Sequence, residues 1–249
     1  MGMGDDIMAT VQARALFEAT GHKVRPANYW SPVWDDNPCF AKEGEPFIEF
    51  NNKPGNRPYI LGQTEDKFIW NPNFKAVPGE LYVDPDPRGK GFLIIEPNVK
   101  GTVSATNKAY PFERWQEAVD LLDYPIAQMG NGPWLDGVER IETATFMEAV
   151  AVLASSKGFA GTDGGLHHAA AALNVPAVVL WGGFAPRDIL GYDNQYNLGG
   201  GGIDTCGSKE PCQHCADQME NIWPLDVVSA IVQMVNDMNG RKMKNTGDQ

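Results

Sequence analysis

The chain has 249 residues, of which 43% are hydrophobic and 21% charged, and its formal net charge is −12. This length can bury one large hydrophobic core or two small ones. The negative charge argues against a general nucleic-acid or anionic-membrane surface, although one local cationic pocket is compatible with it. The sequence has neither a membrane-length apolar run nor a signal-peptide core, so we predict a cytoplasmic protein without a membrane span.

The chain opens with a predicted helix from Ile7 to about Thr20. Asp5 and Asp6 precede it and favour its positively polarised N-terminus, and Gly21 suits the left-handed position that ends a helix. Prolines and aromatic residues are then frequent up to residue 87, and the hydrophobic pattern weakens. Short strands are predicted in this part at 47–50, 59–61, 67–70 and 81–83.

Beyond the Pro- and Gly-rich segment 84–91, strands and helices alternate. Strands are predicted at 92–95, 125–128 and 177–181, with a polar loop at 96–107. Helices are predicted at 111–122, from Phe146 onward, at 166–173 and at 225–238. Such alternation predicts a doubly wound parallel sheet. We therefore expect a reduced N-terminal domain (1–87), a C-terminal domain (88–240) and a polar, frayed tail (241–249).

A glycine turn, Gly161–Gly165, joins a short apolar run to an alanine-rich helix. The first N–H groups of a helix lack internal partners, the helix dipole adds positive charge there, and glycine lets a phosphate approach the backbone. The turn is therefore a candidate anion site. It is equally consistent with a plain strand-to-helix crossover in which Asp163 is the N-cap.

Two groups of residues have metal-binding side chains, but neither has the spacing of a standard site. His167 and His168 occupy adjacent helical positions that point in different directions, so we expect one packed ring and one exposed ring. A second group could bind zinc as three thiolates and one imidazole: Cys206, Cys212, His214 and Cys215. We favour reduced, loosely packed cysteines and no metal, with zinc as the alternative.

Several segments, in order, resemble the bacterial heptosyltransferase family (glycosyltransferase family nine). Residues 162–176, TDGGLHHAAAALNVP, are similar to its D-[ST]-G-x-x-H-x-A-A-A-L-x-x-P signature. Further similar segments are MGDDIMAT (3–10), EPN (96–98), NKAYPFERW (107–115) and VVLWGGFAP (178–186). The resemblance covers residues 93–237 well, the first twenty-five residues moderately and residues 27–87 poorly.

The resemblance implies a GT-B-like α/β fold. A Rossmann-like, doubly wound C-terminal domain would bind the donor, and a reduced, irregular N-terminal α/β domain would face it on the acceptor side. The implied activity is transfer of a sugar from a nucleotide-diphosphate sugar to a hydroxyl acceptor of unknown class. By the same resemblance, transfer would be inverting and would need neither metal nor cofactor.

Residue roles are implied by the same resemblance. Asp5, next to Gly4, matches the family's proposed base, although it is equally suited to cap the first helix. Lys108 matches the diphosphate-binding lysine, and Asp163 would bind sugar hydroxyls or orient Lys108. His168 matches the family histidine, a neutral donor near phosphate. The other donor-site candidates are Thr102, Ser104 and Thr106 as hydroxyl donors, Met129 and Gly130 beside the base of the nucleotide, and Gly164, Gly165 and Leu166 in the loop that would hold the diphosphate and the donor sugar.

Two other functions remain open on the sequence. The shortened first half suggests a non-catalytic nucleotide-sugar-binding module, and the same architecture also supports sugar-nucleotide epimerases and hydrolases. The many aromatic residues of the first half are compatible with a homodimer.

Overall fold

The computed structural model describes residues 2–27, 29–50, 57–200 and 205–246, with side chains up to residue 240. The helices are α1 (Met3–Thr20), α2 (Val103–Thr106), α3 (Phe112–Asp120), α4 (Phe146–Ser155), α5 (Gly165–Ala172), α6 (Arg187–Leu190), α7 (Gln213–Glu220) and α8 (Pro224–Thr246). The strands are β1 (Val24–Pro26), β2 (Ile48–Phe50), β3 (Ile60–Gln63), β4 (Phe68–Trp70), β5 (Leu93–Glu96), β6 (Ile126–Met129), β7 (Glu139–Ile141), β8 (Gly158–Thr162), β9 (Ala177–Trp181) and β10 (Tyr196–Gly199).

The centre of the fold is a six-stranded sheet in the order β10-β9-β8-β5-β6-β7, in which every pair is parallel. Strands β8 and β9 are buried along their whole length, as their continuous apolar runs require. Alternate residues of β5 enter different cores: Ile94 packs on one face of the sheet, whereas Leu93 and Ile95 pack on the other. The doubly wound parallel sheet predicted from the sequence is confirmed.

Helices cover both faces of this sheet. Trp115 of α3 and Ile231 of α8 lie in the core on one face, and Val150 of α4 and Ala170 of α5 lie in the core on the other. The first helix, α1, packs against α5. The N-terminal helix therefore rests on the element that follows the glycine turn.

The rest of the N-terminal region holds two small sheets, the parallel pair β1–β2 and the antiparallel pair β3–β4. Its aromatic residues mostly pack against one another: Trp34 and Phe40 are stacked with ring centroids 5.1 Å apart, and both are buried. Trp30 and Phe47 stay largely exposed. Most of the aromatic side chains that suggested a homodimer thus form a local core instead.

Several predicted boundaries were wrong. Helix α1 begins at Met3, before the predicted Ile7, and α8 continues to Thr246 through residues predicted as a frayed tail; residues 247–249 lie outside the described part. The segment 81–83 is not a strand, and the loop predicted at 96–107 contains α2. Four elements were not predicted: β7, β10, α6 and α7. The division at residue 87 remains a prediction.

Candidate functional site

The site lies where the carboxyl ends of the parallel strands meet the N-termini of α1 and α5. In parallel sheets, ligands bind at this edge. A Cβ atom at Gly165 would lie 3.6 Å from the backbone nitrogen of Gly4 and 2.9 Å from the Phe146 ring. The first turns of the two helices therefore adjoin, and the Phe146 ring leaves no room for a larger residue at Gly165. Their positive dipole ends face a common region, which favours an anion.

Lys108 and Asp163 meet at this edge. The Lys108 ammonium lies 2.7 Å from Oδ2 of Asp163, which is 6% exposed, and 5.1 Å from the centre of the Phe184 ring. Burial is the largest single influence on the pKa of Asp163 and acts to raise it, but Lys108 and His167 together lower the pKa, so the carboxylate is charged. The structure thus brings together the predicted diphosphate lysine and the predicted loop aspartate. Gly164, not Asp163, occupies the N-cap position of α5.

The buried side chain of His167 holds the glycine turn that precedes α5. Its Nδ1 accepts the N–H of Gly164 at 2.9 Å and lies 3.6 Å from Asp163. Burial lowers the pKa of His167 to about 4, so the ring is neutral near pH 7. The family pattern had left this position variable, and sequence reasoning gave it no role in the site.

His168 is also buried, so the expectation of one packed ring and one exposed ring was wrong. The ring centroids of His167 and His168 are 3.9 Å apart. Nδ1 of His168 is 2.6 Å from the Tyr192 hydroxyl, and a Cβ at Gly4 would collide with the His168 ring. The glycine in α1 leaves the space that the ring occupies. Burial also lowers the pKa of His168, so it is neutral.

Asp5 is the third residue of α1, so it is not the N-cap, which is Gly2, but its carboxylate closes the N-terminus of the helix as the N3 side chain of a capping box does. Its carboxylate accepts the Gly2 N–H at 3.1 Å and the Tyr59 hydroxyl, and it forms an ion pair with Arg57 at 3.1 Å. Burial, followed by the charge of Asp5, raises the pKa of Tyr59, and the Asp163 carboxylate adds to this effect. Tyr59 is therefore a neutral donor that lies in the field of both carboxylates.

Sequence reasoning missed Arg57 and Tyr59. They lie in the poorly matched segment 27–87, and no local motif distinguishes them from the other residues of that segment. Asp6, by contrast, is the first-turn carboxylate that was expected: it is 3% exposed and accepts hydrogen bonds from Tyr29 and, at 2.8 Å, from Ser31. Burial raises the pKa of Asp6, and the residue has a structural role.

The remaining donor-site candidates differ in what they can contact. The Met129 side chain is fully buried, so only its backbone can border a nucleotide. Gly130 has φ of +100°, and a Cβ there would lie 3.6 Å from Oε2 of Glu96. Burial raises the pKa of Glu96 to about 7. This carboxyl group at the end of β5 was not predicted as a site residue.

The hydroxyl candidates lie on α2, just before Lys108. Thr102 is at the N-cap position of α2 and is exposed, and Ser104 is half-buried. The Thr106 hydroxyl donates to the carbonyl of Val103 at 2.6 Å. Leu166, in the first turn of α5, is half-buried against the core.

The cysteine cluster is not loosely packed, contrary to expectation. The Cys206 Sγ lies 3.0 Å from the Cys215 Sγ and 3.7 Å from the Cys212 Sγ. A ring nitrogen of His214 belongs to the same group, and all four ligand atoms lie within 4.8 Å of one another. Cys39 is buried elsewhere, and the cysteines are free thiols.

Comparison with known proteins supports the family resemblance. Residues 143–223 match the family model of glycosyltransferase family 9 (heptosyltransferase), which confirms the resemblance over the segment from α4 to α7. No curated protein sequence matches the chain significantly. Within the described residues, no helix has the length and apolarity needed to cross a membrane.

The solved structures that are similar to this chain include those of three proteins. TibC, an iron-containing dodecameric glycosyltransferase from enterotoxigenic E. coli, has a TM-score of 0.67 at 14% identity, over 96% of this chain and 77% of TibC. A second TibC structure is in complex with ADP-D-beta-D-heptose. A glycosyl transferase family 9 protein from Veillonella parvula has a TM-score of 0.65 at 15% identity, over 95% of each chain. For E. coli heptosyltransferase WaaC the TM-score is 0.45 at 19% identity, over 60% of this chain and 45% of WaaC.

The TibC and Veillonella matches confirm the GT-B-like α/β fold. The chain spans less than half the length of WaaC, but it spans nearly all of the Veillonella protein.

Proposed function

We propose that this protein is a glycosyltransferase that moves a sugar from a nucleotide-diphosphate sugar to a hydroxyl acceptor. The observation that carries the proposal is the position of Lys108. Its ammonium, held by the buried Asp163, lies at the edge where α1 and α5 begin, and α1 also carries Asp5. A cation and two helix N-termini are suited to a diphosphate, and a carboxylate beside them is suited to a base.

On the donor side, negative charge grows on the diphosphate as the bond to the sugar breaks. Lys108 and the N–H groups that begin α5 would stabilise that charge. Asp163 is too buried and too firmly paired to meet phosphate itself. Its role is to hold the lysine in place, and the neutral His167 fixes the turn by accepting the Gly164 N–H.

On the acceptor side, Asp5 would accept the proton of the attacking hydroxyl. In the structure its oxygens receive Tyr59, Arg57 and the Gly2 N–H. A carboxylate has about four acceptor positions, so the attacking hydroxyl would use the remaining one, on Oδ1, or replace one of these donors. Arg57 is the mobile candidate, because its charge is attracted to a bound diphosphate, whereas Tyr59 is a neutral, buried ring. Attack on the face opposite the leaving diphosphate would invert the anomeric carbon.

The donor, partners and metal dependence follow from similar proteins and from composition. TibC binds ADP-D-beta-D-heptose in its complex, so an ADP-linked heptose is the first donor to test. Transfer at Asp5 and Lys108 needs no metal in this proposal, although TibC contains iron. TibC is also a dodecamer, so we extend the proposal to a homo-oligomer of this chain. The proposal also includes a cytoplasmic location.

One observation favours a non-catalytic binding module as the second candidate. Asp5 is already occupied by three donors, as a purely structural carboxylate would be. The two functions differ in turnover, not in donor affinity.

The experiment is to incubate ADP-heptose with the protein and with fractionated saccharide, lipid-linked and small-molecule hydroxyl acceptors, and to measure ADP release. Asp5→Asn keeps the shape of the side chain. We expect it to lower release at least about 100-fold and to leave the affinity for ADP within about twofold. If the wild-type protein binds ADP but no acceptor fraction leads to release of ADP from ADP-heptose, the result would favour the non-catalytic binding module. Full release by Asp5→Asn would remove Asp5 as the base.

A further inference from the structure

We propose that Cys206, Cys212, His214 and Cys215 bind one thiophilic metal ion of the zinc type, and that this metal holds the loop that carries Lys108. The cysteine loop, residues 205–215, follows β10 in the chain and runs into the first turn of α7. It lies outside the donor site, and the second half of the proposal rests on the proposed donor-binding role of Lys108.

The ligand atoms have converged as a tetrahedral site requires. Metal–sulfur bonds of about 2.3 Å in a tetrahedron place two sulfurs roughly 3.8 Å apart. The Cys206 and Cys212 sulfurs are 3.7 Å apart, and the Cys206 and Cys215 sulfurs, at 3.0 Å, would need to separate by several tenths of an ångström. Three thiolates and one imidazole form a ligand set that zinc uses in closed structural sites.

His214 supports the assignment independently of the sulfurs. Its Nδ1 is buried and makes no hydrogen bond within the described residues. The ring packs so closely on Gly183 that a Cβ there would lie 2.7 Å from Nδ1. A buried ring nitrogen without a partner costs free energy unless something occupies it. Because a nitrogen of this ring lies within 4.8 Å of the three sulfurs, a metal ion is a suitable occupant of the cluster.

Asn107 connects this cluster to the donor site. Its side chain is 4% exposed and spans the cysteine loop. Its Nδ2 donates to the carbonyls of Ser208 at 3.0 Å and Glu210 at 2.8 Å, and its Oδ1 accepts the Cys212 N–H at 2.9 Å. Lys108 is the next residue. A fixed cysteine loop therefore fixes the backbone from which the lysine reaches Asp163.

The cysteine loop also contacts the N-terminal region. The Phe68 N–H donates to the Gly207 carbonyl at 2.9 Å, and the Lys209 N–H donates to the Asp66 carbonyl at 2.8 Å. The Cys206 N–H donates to the Gly183 carbonyl at 2.8 Å. With Asn107, the loop thus contacts three separate segments of the chain. A metal would stabilise these contacts by ordering the loop that makes them.

The first experiment counts metal and thiols on the purified wild-type protein, by elemental mass spectrometry and by thiol titration after denaturation. We expect about one equivalent of zinc or another transition metal per chain. We also expect four reduced thiols, the number of cysteines in the chain. Cobalt(II) substitution should give the visible absorption of a tetrahedral thiolate site. Protein that holds no metal, even after zinc is added to the reduced chain, would overturn the proposal. A disulfide within the cluster in freshly purified protein would also overturn it.

The second experiment tests the coupling with three variants. Cys212→Ser should lose the metal, and Cys39→Ala, a buried cysteine outside the cluster, should keep it. Asn107→Ala should keep the metal but release the Lys108 loop. We expect the dissociation constant for ADP to rise about threefold or more in Cys212→Ser and Asn107→Ala, and to stay unchanged in Cys39→Ala. Unchanged ADP affinity in metal-free Cys212→Ser would overturn the coupling. If wild-type protein binds metal but no nucleotide, the proposed function fails and the metal site stands.

Discussion

Tyr59 donates its phenolic hydroxyl to Asp5 across 54 positions of sequence. The contact joins the turn before β3, in the irregular N-terminal region, to the first turn of α1, which packs against α5. Burial, followed by the charges of Asp5 and Asp163, raises the pKa of Tyr59, so the phenol stays protonated at physiological pH. The contact orients the proposed base without competing for the proton that the base must take.

Removal of this hydroxyl should affect turnover more than donor binding. In Tyr59→Phe the ring still fills its site, but the Asp5 carboxylate loses one donor and one constraint. We expect ADP release to fall about tenfold and the free energy of unfolding to fall by about 1.5–3 kcal/mol, with ADP affinity within about twofold of the wild type. Kinetics, calorimetry and urea titration measure the three quantities.

Tyr82→Phe is the control, because Tyr82 binds Arg14 and Glu80 away from the site. It should leave turnover unchanged. A Tyr59→Phe protein with wild-type turnover would show that the contact does not serve the reaction.

Gly4 is needed for the close contact between α1 and α5. In Gly4→Ala the new methyl group would collide with the His168 ring, which is itself held by Tyr192. We expect a loss of about 1–3 kcal/mol in unfolding free energy, together with weaker ADP binding, because the two helix N-termini must separate. Urea denaturation and calorimetry test this.

Gly2→Ala provides the matched comparison. A Cβ at Gly2 would meet only Oδ2 of Asp5, at 3.5 Å, which is ordinary contact. This variant should behave as the wild type. Equal stability of the two alanine variants would contradict the packing described here.

Glu96 should make stability depend on pH. Its pKa rises from 4.5 to about 7 on folding, because burial disfavours the charged form. The folded chain therefore binds this proton more tightly than the unfolded chain does, and stability falls as pH rises from about 4.5 to about 7. The full effect is up to roughly 3 kcal/mol.

Glu96→Gln removes the ionisation and keeps the shape, so it should be more stable than the wild type at pH 8 and closer to it at pH 5. Urea titrations at the two pH values measure the difference. Glu139→Gln, an exposed position on β7, should show no such change. A Glu96→Gln variant that is equally destabilised at both pH values would mean that the carboxylate is charged in the folded protein.

Removal of Lys108 alone from the Lys108–Asp163 pair should destabilise the fold. Lys108→Ala leaves the buried Asp163 carboxylate without its partner, which costs about 3–5 kcal/mol. Thermal unfolding of Lys108→Ala, with Lys90→Ala on an exposed turn as control, measures this loss. An unchanged melting temperature for Lys108→Ala would mean that the pair contributes nothing to the fold.

The sequence predicted the centre of the fold well, because local signals there agree with the tertiary structure. The run 177–181 is β9 to the residue, bounded by Pro176 and Gly182, and Asn174 takes the left-handed conformation that ends α5. The two outer strands of the sheet were not predicted, because they lack such local signals. Strands β7 and β10 pair on one side only, and their sequences, ERI and YNLG, lack the continuous apolar run of a buried strand.

The candidate site also contains residues that the sequence predicted and residues that it did not. The family resemblance implied that Asp163 orients Lys108, and the structure places the two side chains in contact. Arg57 and Tyr59 reach Asp5 through the irregular N-terminal region, where no periodic pattern fixes the path of the chain. Buried His168 could not be foreseen, since its space depends on a glycine in another helix.

Titration of ADP into the wild type and into the double variant Lys108→Gln/Asp163→Asn tests the central claim most directly. The double variant removes both charges and keeps a hydrogen-bonding pair, so neither residue is left as an unpaired buried charge. We predict micromolar binding to the wild type and binding at least about tenfold weaker to the double variant. Equal affinity in the two proteins, or no binding to the wild type, would contradict the assignment of this edge of the sheet as a diphosphate site.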